Sequence, residues 1–94
     1  MSDGPGVIPA LASALDEVRH EIVNAVDKHG LAQTPLSKTM YRSEKFIILM
    51  EEIGEVAHLL TYDGNPGDFA TQRENLRREL IQVAAMAVAW LVSE

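Results

Sequence analysis

Phe46-Ile47-Ile48-Leu49-Met50-Glu51-Glu52-Ile53-Gly54-Glu55-Val56-Ala57-His58-Leu59-Leu60 is the stretch on which the fold turns. With Glu51 as the zero of a helical wheel, Glu55 falls at about 40° and Glu52 at about 100°. Three carboxylates then share one arc, while Phe46, Leu49, Ile53, Val56, Ala57 and Leu60 gather opposite, the stripe of a core-facing helix. Ile48 and Leu59 lie one turn before and after the acids, on the acidic side itself. A face meant only for water has no need of them. The acids are therefore expected between helices, partly shielded, where a cation is their natural partner.

Working outward, the chain has 94 residues, 47% hydrophobic, with no Cys and a net charge of −6. It is too apolar for a disordered chain and too acidic for a nucleic-acid binder with a basic footprint. A phosphate-bearing ligand needs a metal ion to mask the repulsion. The lack of Cys excludes disulfides, thiolate metal sites and thiol nucleophiles. Met1 to Gly6 carries no basic or apolar leader pattern, so a cytoplasmic setting is expected, with no membrane and no nucleic-acid polymer as partner. One domain is the economical reading, with residues 1–8 as a flexible terminus and 9–94 as a single helical domain.

Pro9 suits a first helical turn, and Leu11, Leu15, Val18, Ile22 and Val26 recur at helical steps up to a cap at His29 and Gly30. A loop with Pro35 at its middle follows. The acid-bearing helix starts at Ser37 or at Ser43, either of which can cap it, and runs to about Tyr62. Asp63-Gly64-Asn65-Pro66-Gly67 is loop chemistry, and Asp68 caps a last helix reaching Trp90 or beyond. From Leu80 to Val92 that helix is almost wholly apolar all round, with Ala84, Ala85, Ala87 and Ala89 allowing close approach. Cover on every side needs more than three helices of one chain, so self-association is expected. The expected fold class is all-α: a three-helix chain assembling into a helical-bundle dimer or dimer of dimers.

On the last helix Glu79 and Gln82 lie one turn apart and can converge on one point. Facing Glu51, Glu52 and Glu55 across two antiparallel helices, they make an oxygen-rich pocket that suits Mg²⁺. Two carboxylates about 5 Å apart repel by roughly 3 kcal/mol at an effective dielectric of 20. Such a group partly protonates or holds metal. Gly54, which costs roughly 1 kcal/mol against Ala in a helix, is wanted either for close helix packing or for room beside the acids. Lys45, near Glu52, and Arg78, beside Gln82, are the candidate phosphate contacts. His58 at the edge of the acidic arc, Trp90 on the last helix, and His20 and His29 on the first are expected to be structural or surface residues. Lys38, Tyr41 and Arg42 lie where a loop could close over a bound ligand.

Glu51-Glu52-Ile53-Gly54-Glu55 followed by Glu79-Leu80-Ile81-Gln82 resembles the EExxE and ExxD pair of the MazG-like all-α nucleoside triphosphate pyrophosphohydrolases. The resemblance runs from about Leu11 to Trp90. It implies Mg²⁺-dependent (Mn²⁺ in its place) hydrolysis of a (d)NTP between the α and β phosphates, giving the monophosphate and pyrophosphate. Carried over, Glu52, Glu55 and Glu79 match metal ligands, and Glu51 matches the acid that orients or deprotonates water. Gln82 stands where the family pattern has Asp, so the fourth ligand is a neutral amide one methylene longer. A non-catalytic helical module, or a pyrophosphohydrolase of another nucleotide such as phosphoribosyl-ATP, are the competing readings.

Overall fold

A computed structural model describes residues 6–61 and 69–94, the side chain of Phe69 aside. Three helices make up the fold: α1, Val7–His29; α2, Arg42–Thr61; and α3, Phe69–Ser93. One 3₁₀ turn, Leu31–Gln33, follows α1, and no strand occurs among the described residues. The chain is an all-α helical bundle.

Helix α1 begins two residues before Pro9, so Val7 and Ile8 belong to the first turn and not to a loose terminus. It closes on Gly30, whose φ of 83° is the left-handed region that a side chain resists, and whose N–H donates to the Val26 carbonyl at 2.8 Å. Lys28 and His29 sit in the last turn, where positive charge complements the helix dipole. Helix α2 starts at Arg42, between the two serines considered as caps, with the Lys45 N–H bonded to the Tyr41 carbonyl. Its end at Tyr62 and the cap at Asp68 lie outside the described residues.

α3 is the middle helix. It packs against both α1 and α2, while α1 and α2 do not pack on each other. Arg77 of α3 grips Glu17 of α1, and at the other end Ser93 donates to the Pro35 carbonyl just after α1, so α1 and α3 run the same way. Lys45 near the start of α2 meets Ser93 near the end of α3, so α2 runs opposite. The result is an up-down-up arrangement with a groove above α3. The core is small: Val18, Ala85 and Met86 are buried, with Ile22, Ile48, Leu49, Ile81 and Ala84 packed on them. Ala85 and Ala89 are buried and Ala84 half-buried, as close approach asks, whereas Ala87 is exposed.

On α2 the inward face differs from the expected one. The seam against α3 is Lys45, Ile48, Leu49, Glu52, Val56 and Leu59, buried or half-buried at three- and four-residue steps. Phe46, Ile53, Ala57 and Leu60, expected to face the core, are exposed. Both sides of this helix are apolar, so hydrophobicity alone does not say which one its own chain covers.

Candidate functional site

The seam places Glu52 of α2 toward α3, and Glu79 and Gln82 of α3 come up on the other side of it, all three half-buried. Burial pushes the Glu52 carboxyl above the usual carboxylate range, and the neighbouring charges of Glu79, Glu55, Glu51 and Glu21 push it the same way. Charges from both acidic stretches of the sequence thus act on one carboxylate. Glu51 and Glu55, one turn apart on the flank of the seam, are exposed.

Glu21 is the acid that sequence reasoning missed. It lies on α1, which carries no acidic motif, and only the up-down-up packing brings it near Glu52. Its place one helical step before Ile22, on the half-buried side, is the signal that was there to be read. Glu21, Glu52 and Gln82 line one cavity of about 520 Å³, with Lys28, His29 and Gln33 on the α1 side and Ile48 and Met86 as its apolar lining. Pro35, fully buried, and Thr34 close its end. A second recess shares Glu21, Asn24 and Gln82 with the first and adds Arg77 and Arg78. Arg78 shares that recess with Gln82, and one of its guanidinium nitrogens donates to Asn75 at 2.7 Å.

Lys45 is a correction. Its side chain is buried, 3% exposed, and its Nζ donates to the Ser93 hydroxyl at 2.6 Å, which in turn donates to the Pro35 carbonyl at 2.8 Å. Two turns from Glu52 along α2, it ties α2 to the end of α3 and is not placed to meet a phosphate beside the acids. Its apolar stem fits the seam, and its amine finds a partner at the end. Trp90 lines a depression with Leu49, Ala87, Leu91 and Glu94, and its indole N–H donates to Glu94 at 3.1 Å.

Gly54 answers one of the two reasons considered for it. A Cβ built there meets nothing within 4 Å, so packing within this chain does not require the glycine. It lines an open depression with Glu51, Glu55 and His58.

Five carboxylates and one amide in and around a half-buried seam offer the oxygen ligands that a hard divalent cation takes. Among the described residues, however, no three His, Asp or Glu side chains converge as a metal-holding group. Comparisons with protein families, with curated proteins and with solved structures find no match for the chain.

Proposed function

We propose that this chain is a Mg²⁺-dependent nucleoside triphosphate pyrophosphohydrolase, splitting a (d)NTP into the monophosphate and pyrophosphate. The observation that carries the reading is Glu52: a half-buried carboxylate on a helix seam, held above its usual range first by burial and then by the charges of Glu79, Glu55, Glu51 and Glu21. A solvated acidic face does not push one of its members into a seam. Burial of a charge beside like charges is relieved by a proton or by a cation, and a bound cation is what lets an acidic protein take a polyphosphate.

Glu52, Glu55, Glu79 and Gln82 would hold the ion, which supplies charge neutralisation on the phosphates when bound. Glu51, exposed beside them, is the group to orient and deprotonate the attacking water. Arg78, in the recess next to Gln82, is the remaining candidate for a phosphate oxygen. In this reading the protein works in the cytoplasm as a homodimer or homotetramer. No helix is long and apolar enough to cross a membrane among the described residues.

The test is pyrophosphate release over a panel of ribo- and deoxynucleoside triphosphates with Mg²⁺ or Mn²⁺, read beside thermal shift. Turnover with at least one nucleotide, and a metal-induced gain in melting temperature that disappears in Glu55→Gln, are the expected results. A non-catalytic helical module is the second reading, favoured by the lack of three converging acids among the described residues. Silence across the whole panel with both metals would establish it in place of the enzyme.

A further inference from the structure

Two recesses meet at Glu21, Asn24 and Gln82, and their linings differ in kind. The smaller, about 360 Å³, is lined by charged and polar side chains, Arg77 and Arg78 among them, with Ile81 its one apolar residue. The larger, about 520 Å³, has apolar walls in Ile48 of α2, Met86 of α3 and Pro35. It follows one face of α1 from Glu21 to Lys28, about 10 Å of helix axis. Because α2 runs opposite to α1 and α3 runs with it, Glu52 and Gln82 share the Glu21 end, while Ile48, Met86 and Pro35 lie toward Lys28.

These linings sort the two halves of a nucleotide. Apolar walls offer nothing to a phosphate chain, but they suit the flat faces of a heterocycle, and a methionine sulfur adds a favourable contact with an aromatic ring. The phosphates then go to the acid end and Arg78, the sugar passes Glu21, whose carboxylate accepts from hydroxyls, and the base enters between Ile48 and Met86. Its edge meets Asn24, Lys28 and Gln33 at the exposed rim. The two amides can turn to present a donor or an acceptor, as the base requires. Lys28 cannot. Its ammonium only donates, and among the described residues it has no ion-pair partner to turn it aside.

Given the nucleotide reading above, on which this rests, we propose that the larger cavity holds the base and that Lys28 makes it select oxo bases. These are guanine, hypoxanthine, uracil and thymine, which carry a carbonyl oxygen where adenine and cytosine carry an amino group. The carbonyl oxygen accepts from the ammonium, whereas an amino group sets donor against donor.

Matched pairs isolate that one group: inosine against adenosine triphosphate, and uridine against cytidine triphosphate, each pair alike in sugar, phosphates and ring size. Pyrophosphate release by the full chain with Mg²⁺ is expected to give a kcat/KM about tenfold higher for the oxo member of each pair. Lys28→Met keeps the stem and removes the ammonium, and is expected to bring the two members of each pair level. Lys28 is exposed, so helical circular dichroism is retained. Ala25→Phe narrows the cavity from the α1 side and is expected to raise KM severalfold for all four nucleotides. Equilibrium dialysis of the four corresponding monophosphates reads the base apart from the reaction. An oxo preference in dialysis with no pyrophosphate release from any triphosphate fails only the hydrolase and leaves the base site standing. Turnover that is equal within each pair, that favours the amino member, or that keeps its preference in Lys28→Met overturns the base site and leaves the hydrolase standing. An unchanged KM in folded Ala25→Phe does the same. Neither binding nor turnover overturns both.

Discussion

At one end of the α2–α3 seam, Lys45 and Arg42 of α2 meet Ser93 and Glu94 of α3; two turns along, Glu52 meets other carboxylates instead. At the first end every charge has an opposite or a hydrogen-bond partner. Arg42 makes a two-pronged contact with Glu94 at 2.8 and 2.7 Å, and that guanidinium, helped by the Trp90 indole, holds the Glu94 carboxyl down to about 2. In the middle Glu52 is half-buried and the charges acting on it are of its own sign, and its carboxyl moves up. The same two helices carry both arrangements. The difference separates a clasp, which fixes the helices, from a site, which holds unbalanced charge ready for something else.

The largest effect is expected where the clasp is buried. Lys45→Ala removes a charged hydrogen bond and the stem that fills the seam, and should cost about 2 kcal/mol in urea denaturation. A loss indistinguishable from zero would mean that the clasp holds nothing. Next is the middle of the seam. Glu52→Gln without metal should stabilise by about 0.5–1 kcal/mol, the sum of a few like-charge contacts.

The pH dependence sharpens that second case. The folded form binds a proton at Glu52 more tightly than the unfolded form, so stability falls as pH rises through its raised value and is recovered on acidification toward 4.5. Wild type should gain stability over that window and Glu52→Gln should not. Asp16, Glu17 and Glu94, whose carboxyls are held low by Arg19, Arg77 and Arg42, act in the opposite sense. Their stabilisation is present above the ordinary carboxylate values and is lost only as pH drops through the depressed ones. A wild-type curve that declined steadily from neutral pH to 5 would contradict the assignment of Glu52. The smallest effect is expected from Arg42→Ala, because that ion pair is solvent-exposed; raising the salt concentration should erase most of the difference in melting temperature.

How much of this was legible in the sequence differs by element. The period of Leu11 to Val26 marked the first helix, and the closing glycine at 30 was found where the pattern ended, while the loop read at Asp63–Gly67 lies outside the described residues. The face of α2 was not legible. Ile48 and Leu59 marked the acidic side as shielded, and Glu52 does lie in the seam, yet the stripe of Phe46, Ile53 and Leu60 looked equally suited to the core. Period tells which residues share a side of a helix; it does not tell which neighbour covers that side. Glu21 and Lys45 show the same limit. One is an unmarked acid that the topology of α1 carries to the others, and the other is a surface-type residue that the α2–α3 contact buries.

The way α3 alone connects its two neighbours carries one more implication. Since α1 and α2 do not pack on each other, the width of the gap between Glu21 and Glu52 is the sum of two separate helix contacts, each made on a different flank of α3. Ala85, wholly enclosed with Val18 behind it, sets one of those distances. A single methyl group more or less in that packing moves α1 as a body. The spacing of acids across the cavity is therefore adjustable by residues that never face it, and variation in the hidden layer is a route to retuning what the cavity accepts.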